Sequence, residues 1–259
     1  MKTHTVDKTQ IDQSGRYIGS EYLGDWQGHI EIKPGLGTVT FESLKASGYI
    51  RSQSGSGIKA CLGIEAGWGI EAGEGIEAGS GIEAGSGIEA GLGIEAGSGI
   101  EAGLGIKAGL GIKAGLGIEA GWGIEAGSGI EAGEGIEAGE GIEAGSGIEA
   151  GLGIKAGSGI EAGSGIEAGE GILCQLGLKC GQTLSFKYGL YVGACTWREA
   201  SQKERQAVCR NLCADPSLVK LGEVIETEMP EKTIEIDGVK YSAEQVRERI
   251  AELKPVQDK

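Results

Sequence analysis

Isoleucine recurs at every sixth position from Ile58 to Ile172, within the hexad I-E/K-A-G-x-G. A period of six excludes an amphipathic helix, because 3.6 residues per turn would scatter the isoleucines around the axis and the glycines would destabilise every turn. Short units repeated at a fixed period are typical of solenoids, in which each unit buries its apolar face against the next one. The sequence therefore predicts an all-β solenoid over residues 58–171.

Each hexad predicts a three-residue strand followed by a corner. Alternation along the strand points Ile and Ala to the interior and Glu or Lys to solvent. The G-x-G segment supplies permissive backbone for the corner, and its middle residue points outward. If three hexads close one triangular coil, residues 58–171 form about six coils and a rod of about 30 Å.

The hexad I-E-A-G-S-G resembles the hexapeptide repeat of left-handed β-helix proteins. This resemblance implies a left-handed, triangular parallel β-helix, whereas the period alone does not set the handedness. Many proteins of this kind are acyltransferases that use a catalytic His on a loop between coils. Here the only histidines, His4 and His29, precede the regular coils, and no loop interrupts the hexads. We therefore expect neither an enzyme nor a bound cofactor.

The flanking residues indicate that the solenoid continues beyond the regular hexads. We interpret residues 1–29 as an N-terminal segment, 30–57 as irregular first coils with a cap, and 172–196 as closing coils. The predicted inward residues are Ile30, Leu36, Leu44 and Ile50 in the first coils, and Cys174, Leu178, Cys180, Leu184, Phe186, Leu190 and Val192 in the closing coils. Larger inward side chains suit an end coil, which must not expose open strand edges.

A small α and ββα extension is predicted after the closing coils. Residues 197–215 are typical of a helix that ends near Asp215-Pro216, and residues 216–259 predict a ββα tail. The predicted elements of the tail are a strand at Thr233–Ile236, a hairpin turn at Asp237-Gly238, a strand at Val239–Tyr241 and a helix from the capping box of Ser242 and Gln245 to about Leu253. We interpret this tail as an adapter or assembly element.

The formal net charge of -15 lies entirely on the hexads. The second position of the 19 hexads from Ile58 to Ile166 holds 15 Glu and four Lys, and corner positions add four more acids, while the rest of the chain is neutral. The lysines are Lys59, Lys107, Lys113 and Lys155, and the corner acids are Glu74, Glu134, Glu140 and Glu170. The outward glutamates are Glu65, Glu71, Glu77, Glu83, Glu89, Glu95, Glu101, Glu119, Glu125, Glu131, Glu137, Glu143, Glu149, Glu161 and Glu167.

This charge density is close to that of a nucleic acid. Fifteen charges over about 30 Å give one per about 2 Å, against one per about 1.7 Å of duplex DNA. The sequence therefore predicts a non-enzymatic inhibitor that mimics nucleic acid toward a basic nucleic-acid-binding protein or complex. Direct nucleic-acid binding is disfavoured by the sign of the charge. The alternative interpretation is that glutamate only keeps the outward strand positions soluble.

One belt around the rod interrupts the acidic surface. It consists of Leu104, Lys107, Leu110, Lys113, Leu116 and Trp122. Trp68 lies in the same corner column as Trp122, three coils away. Exposed Trp and Leu at corners are candidate anchors for a partner, so Trp68 and Trp122 join the glutamates as candidate partner-binding residues. Drift of the repeat, with corner leucines packing on neighbouring corners, is the alternative.

The cysteines and the N-terminus bear on the cellular compartment. The chain begins without the apolar stretch of a secretory signal and contains no run of about 18 apolar residues, so we expect a cytoplasmic protein that does not enter membranes. Six cysteines are then more typical of free thiols than of disulfides. Metal binding stays an open alternative for Cys195, Cys209 and Cys213, although no His lies near them in the sequence to complete a site.

The G-I-E-A-G tracts, followed by the segment from Leu184 to Trp197, also resemble phage and prophage-encoded proteins. The resemblance covers the repeat and its closing coils. It implies an anti-defence role, such as an anti-CRISPR or a restriction inhibitor, exercised in the host cytoplasm. The alternative function is that of a structural or assembly protein, with the rod as a spacer and a homo-oligomer formed through the C-terminal tail.

Overall fold

The structure is a computed structural model of the chain, and it describes residues 1–227, 233–236 and 239–242. Two compact units are present, Met1–Glu226 and Thr227–Lys259. The first unit is a parallel β-solenoid of three sheets and about 11 turns, with almost no helix. The triangular β-helix predicted from the hexads is confirmed. The 3₁₀-helices of the described residues are Lys8–Gln10, Leu23–Asp25, Lys203–Arg205 and Pro216–Leu218.

Each sheet forms one face of the triangle and takes every third strand. Face 1 comprises β1 (Lys2–Val6), β2 (Gly28–Ile32), β5 (Ile50–Ser52), β8 (Ile70–Ala72), β11 (Ile88–Ala90), β14 (Ile106–Ala108), β17 (Ile124–Ala126), β20 (Ile142–Ala144), β23 (Ile160–Ala162), β26 (Leu178–Cys180), β29 (Gln206–Cys209) and β32 (Glu223–Glu226). Face 2 comprises β4 (Leu44–Ala46), β7 (Ile64–Ala66), β10 (Ile82–Ala84), β13 (Ile100–Ala102), β16 (Ile118–Ala120), β19 (Ile136–Ala138), β22 (Ile154–Ala156), β25 (Ile172–Cys174), β28 (Leu190–Val192) and β31 (Val219–Leu221). Face 3 comprises β3 (Gly37–Phe41), β6 (Ser56–Ala60), β9 (Ile76–Ala78), β12 (Ile94–Ala96), β15 (Ile112–Ala114), β18 (Ile130–Ala132), β21 (Ile148–Ala150), β24 (Ile166–Ala168), β27 (Thr183–Phe186) and β30 (Asn211–Leu212).

The core is a column of isoleucine and alanine. In the hexads every Ile is at most 2% exposed and every Ala at most 3%. Strands pair in register, so that Ile82 lies between Ile64 and Ile100 on face 2 and each outward side chain lies directly above the outward side chain of the previous coil. This register follows from the sequence, because a one-residue slip would place Glu inside and Ile in solvent.

The corners of the regular coils depend on the missing Cβ of glycine rather than on an unusual backbone. Glycines with left-handed φ, such as Gly15, Gly55 and Gly193, lie outside the hexads. A Cβ on Gly115, the first Gly of its corner, would lie 2.2 Å from the carbonyl oxygen of Gly97 in the previous coil. The second Gly of the same corner, Gly117, has more room, at 3.4 Å. The expectation that conformational freedom explains these glycines is therefore wrong, because the cause is the close approach of stacked coils.

The N-terminal segment covers the first coil on all three faces. β1 pairs with β2 on face 1. The Tyr17 N–H donates to the Thr40 carbonyl oxygen at the edge of face 3, and the Trp26 N–H donates to the Lys45 carbonyl oxygen at the edge of face 2, each at 2.9 Å. Val6 and Leu23 are buried beneath this cover. Residues 1–27 thus close the strand edges that an open solenoid would expose.

The first coil places one inward residue differently from the prediction. Ile30, Leu44 and Ile50 are fully buried, as expected. Val39 pairs with Ile58 and is the inward residue of face 3, whereas Leu36 is only half-buried. The prediction for Leu36 is wrong because a wide turn, with left-handed φ at Gly35 and Gly37, lengthens this corner and shifts the alternation onto Val39 and Phe41.

The helix predicted over residues 197–215 is also wrong. This segment holds the 3₁₀-helix Lys203–Arg205, followed by β29 and β30, which extend faces 1 and 3. Ala207 and Cys209 alternate inward and are fully buried, so pairing with the existing sheet edge and burial of these residues outweigh the helix propensity of the segment. The predicted inward residues of the closing coils, Cys174 to Val192, are buried and confirmed.

The tail begins later than predicted, since residues 216–226 add β31 and β32 to the solenoid. In the second unit β33 (Thr233–Ile236) and β34 (Val239–Ser242) form an antiparallel pair in which Ile236 lies opposite Val239. The predicted strand pair is confirmed, whereas the predicted turn at Asp237-Gly238 lies outside the described residues. The helix predicted from Ser242 to about Leu253 lies beyond the described residues.

Candidate interaction faces

The 15 outward glutamates are distributed over the three faces as ladders. Strand pairing places the side chains of one face in register at one per coil, which is about 4.8 Å. Glu77, Glu95, Glu131 and Glu149 share face 3, as predicted from their spacing. Glu65 is half-buried, and the other 14 are exposed. The predicted residues therefore form three separate carboxylate surfaces rather than one site.

Face 2 carries the only uninterrupted run of five outward glutamates within the described residues. We call Glu65, Glu83, Glu101, Glu119 and Glu137 the face 2 ladder. Lys45 precedes it and Lys155 follows it in the same column. The corner acids Glu134 and Glu170 line the shallow groove along this face together with the ladder. The net charge of the hexads does not show how the charges are divided among the three faces. Assigning every third hexad to one face would have revealed this run of glutamates from the sequence.

Faces 1 and 3 each contain a lysine inside the acidic column. On face 1 Lys107 lies between Glu89 and Glu125. On face 3 Lys113 lies between Glu95 and Glu131. A linear array of cationic groups laid along either face would therefore meet a like charge near its middle. Of the three faces described, face 2 alone offers such an array five successive carboxylates.

Basic side chains pair with glutamates one coil away. Lys45 Nζ lies 2.7 Å from Glu65, Lys107 Nζ lies 3.0 Å from Glu125, and Lys113 Nζ lies 2.8 Å from Glu131. The remaining ladder pairs are Arg51–Glu71, Lys59–Glu77, Lys155–Glu137 and Lys179–Glu161. The hydrogen bond from the partner glutamate raises the pKa of Lys45, Lys107 and Lys113 above the usual lysine value. These pairs are about half exposed, so they orient side chains more than they stabilise the fold.

Eight of the 15 glutamates remain without an ion pair among the described residues. Three of them are consecutive on face 2, three are on face 3 and two are on face 1. They are Glu83, Glu101 and Glu119 on face 2, Glu95, Glu149 and Glu167 on face 3, and Glu89 and Glu143 on face 1. These carboxylates have no cation to displace before they meet a partner.

The two candidate tryptophans lie on the edge between faces 2 and 1. Backbone hydrogen bonds join Trp68, Ser86, Leu104 and Trp122 in one corner column, which confirms their predicted alignment. Trp68 is 50% exposed and its ring lies 5.1 Å from that of His29, which stacks on Tyr49. Trp122 is 56% exposed. Trp68 thus has a packing role within the N-terminal coils, whereas Trp122 projects from the middle of the rod.

The leucines of the predicted belt are exposed at the corners, but its lysines are engaged. Leu104, Leu110 and Leu116 are 37%, 50% and 46% exposed. Lys107 and Lys113 are both ion-paired with glutamates of the following coil. The belt is therefore less basic than its composition suggests. Leu110 stacks on Leu92 through a backbone hydrogen bond, so neighbouring corner leucines do align.

Beyond Lys155 the outward column of face 2 becomes apolar, a feature that was not singled out from the sequence. Leu173 follows Lys155, Tyr191 follows Leu173, and Leu221 follows Tyr191. Tyr188 stands at the adjoining corner above Glu170 and is 68% exposed, while Tyr191 and Leu221 are each 42% exposed. We call Leu173, Tyr188, Tyr191 and Leu221 the aromatic end of face 2. The signal in the sequence for this apolar end was Leu173, which stands at the position that glutamate or lysine occupies in the regular hexads.

Cys180 interacts with Cys209 in the last coils, but the cysteines are not gathered into a ligand set. Burial raises the pKa of Cys174 and of Cys180 to about 12. Cys61 and Cys213 are exposed, and Cys195 is half-buried. Within the described residues no group of three or more His, Cys, Asp or Glu side chains is arranged to hold a metal ion. No helix in the described part of the chain has the length and apolarity needed to cross a bilayer.

No protein-family model, curated protein or solved structure matches this chain significantly. Its class therefore rests on its own geometry. The three sheets, the inward Ile and Ala and the stacked outward glutamates define a triangular parallel β-helix with acidic faces.

Proposed function

We propose that this protein is a non-enzymatic inhibitor that occupies the nucleic-acid groove of a basic protein or complex. The observation that carries the proposal is the stacking of outward carboxylates at one per coil on every face, with eight of them not engaged by a cation among the described residues. Such an array presents anionic groups on a rigid rod at a line density close to that of duplex DNA. Lysine and arginine side chains that bind phosphate oxygens also bind carboxylates.

In biological terms, we propose that the protein acts for a phage against a host defence system, as an anti-CRISPR protein or a restriction inhibitor does. Nuclease complexes that hold a duplex in a positively charged channel present the groove that the rod would fill. The support is the stacking of the outward carboxylates and the charge of the rod.

The first experiment immobilises the full chain and recovers binding proteins from a bacterial lysate. We expect nucleic-acid-binding proteins that are released by added duplex DNA. We also expect binding to weaken steeply between low and high salt, because many exposed charge pairs are screened together. Recovery of only structural proteins or copies of the chain itself, or retention that neither DNA nor salt affects, would remove the support for mimicry.

A structural or assembly role is the second candidate. The observation in its favour is that the C-terminal hairpin, β33 and β34, belongs to a compact unit separate from the solenoid. In this case the rod is a spacer and the tail forms a homo-oligomer. Light scattering on the full chain and on a chain ending at Glu226 distinguishes the two, since only the assembly role requires an oligomer that the truncation dissociates.

A further inference from the structure

The three faces differ in what they offer a partner, although their hexads are nearly identical. Face 2 combines an uninterrupted ladder of five glutamates with exposed apolar side chains at its C-terminal end. The outward column of face 1 continues after Glu161 with Lys179 and the half-buried Val208 and Ile225, and that of face 3 continues after Glu167 with Ser185. Among the described residues, only face 2 places a carboxylate ladder and a group of large exposed apolar side chains in one column.

We infer that face 2 is the docking face, and that its partner presents a basic segment followed by an apolar one. The ladder pairs with arginine or lysine side chains, and the aromatic end takes the apolar segment. This inference rests on the proposed function and specifies the site and the chemistry of the partner.

Charge complementarity selects the basic segment. Glu83, Glu101 and Glu119 are consecutive and without an ion pair among the described residues, so an approaching cation displaces no lysine there. Lys45 and Lys155 neutralise the two ends of the ladder through Glu65 and Glu137. The free carboxylates are thus confined to the middle, which sets the position of a cationic partner along the rod.

The aromatic end is the second observation that points to a partner. Exposed apolar side chains that cluster on an otherwise charged surface mark interaction sites, and tyrosines are among the residues that contribute most to binding. Tyr188 and Tyr191 are well exposed although Leu190 and Val192 beside them are buried, so the tyrosines are not needed to fill the core. Their phenol rings offer contact area at low entropic cost.

The register gives the dimensions of the partner. From Glu65 to Glu137 there are four layers, or about 19 Å, and from Glu137 to Tyr191 three layers, or about 14 Å. An extended chain advances about 3.3 Å per residue, so about six residues cover the ladder and about four more reach the aromatic end. A suitable probe is therefore a synthetic peptide of six arginines, a four-residue Gly-Ser spacer and the segment Trp-Leu-Trp.

The experiment measures the affinity of this probe for the full chain by fluorescence anisotropy. A second probe replaces the apolar segment by three serines. The face 2 variant carries Glu83→Gln, Glu101→Gln and Glu119→Gln. The matched control on face 3 carries Glu95→Gln, Glu149→Gln and Glu167→Gln, which removes the same charge from the same number of glutamates without an ion pair. A third variant carries Tyr188→Ser and Tyr191→Ser.

We expect the face 2 variant to lose at least about tenfold in affinity and the face 3 variant less than about threefold. The apolar segment should improve binding to the native chain by about five- to tenfold, and the tyrosine variant should abolish this gain. Circular dichroism and thermal melting establish that each variant is folded.

Other outcomes separate this inference from the proposed function. Equal losses in the two glutamate variants would overturn the assignment of face 2 and leave a rod that acts by charge alone. No loss in either would overturn both. Absence of a gain from the apolar segment would overturn the role of the aromatic end. A dimer of the native chain that the tyrosine variant dissociates would show instead that a second copy occupies this end.

Discussion

The regular middle of the solenoid, residues 58–171, and its two ends stack their coils by different means. In the middle the layers repeat Ile and Ala inside and Gly at the corners, with Cys61 in the first hexad as the exception, and each coil is held between two neighbours with the same inward residues. At the ends the layers hold Phe41, Cys174 and Phe186, and some corners use left-handed glycines. The coils of the middle are thus uniform in sequence and packed on both sides. The coils of the ends vary in sequence and have more freedom to shift.

Position 175 shows what this difference means. Gln175 occupies the place of the first corner Gly, which in the middle has no room for a Cβ. Its N–H donates to Ala156 O at 3.2 Å, compared with 3.0 Å from Gly115 to Ala96 O. The last coils thus hold a side chain at a corner position that glycine occupies in the middle. A corner residue is constrained by the coils on both sides of it rather than by its own conformation.

The largest effect is expected from a cavity in the middle. Ile112→Ala removes a fully buried side chain whose neighbours, Ile94 and Ile130, are held by further layers and cannot collapse inward. We expect a loss of about 4 kcal/mol in the free energy of unfolding, measured by urea titration. Leu212→Ala, at a half-buried position of the last coil on the same face, is the control and should cost about 1 kcal/mol. Equal losses would remove the distinction between middle and end.

The second effect concerns the corner glycines. Gly115→Ala places a Cβ against the Gly97 carbonyl oxygen, and two rigid coils must separate to admit it. We expect a loss of about 2–3 kcal/mol. Gly117→Ala, two residues away at 3.4 Å from its nearest neighbour, should cost less than about 1 kcal/mol. Similar melting temperatures for the two variants would contradict the role given to coil spacing.

Much of the middle could be predicted from the sequence, because the period of six determines strand, corner and inward residue at once. The ends could not be predicted as well, since tertiary contacts decide there. The segment 197–215 has helix propensity but becomes β29 and β30 where a sheet edge is available, and a lengthened turn moves the core position from Leu36 to Val39. Handedness stays a prediction from resemblance.

For the candidate faces the sequence predicted the exposed glutamates and the alignment of Trp68 with Trp122, which depend only on the period. It did not predict the inequality of the faces. That inequality depends on which coil each lysine occupies. The 18-residue spacing of the coils already assigns Lys155 and Tyr191 to the column of face 2, whereas Lys45, 20 residues before Glu65, is placed there by the strand register.

The third effect is a pH dependence confined to the C-terminal end. Burial raises the pKa of Cys174 from 9.0 to about 12, so the folded state keeps a proton that the unfolded chain releases. The stability from this thiol is complete below pH 9 and is lost as the pH rises from 9 to 12. At pH 10 the loss should be about 1.4 kcal/mol. Cys174→Ala restores the residue of the regular hexads and should remove this part of the decline, as measured by urea titration from pH 8 to pH 11. An unchanged slope would contradict the assignment.

The smallest effect is expected from the outward charge of the middle. Glu83→Gln, Glu101→Gln and Glu119→Gln together leave the Ile and Ala core intact and relieve repulsion between carboxylates one layer apart. The free energy of unfolding should therefore hold or rise slightly, and the gain should shrink in high salt, where repulsion is already screened. The face 3 variant with Glu95→Gln, Glu149→Gln and Glu167→Gln should gain less. The face 3 substitutions relieve three contacts between successive glutamates, those of Glu149 with Glu131 and Glu167 and that of Glu95 with Glu77, against four on face 2. Glu95 also loses its attraction to Lys113 in the next coil. Thermal melting at low and high salt compares the two. A face 2 variant that melts well below the native chain would mean that these glutamates stabilise the coils, and folding rather than binding would then account for their presence on the surface.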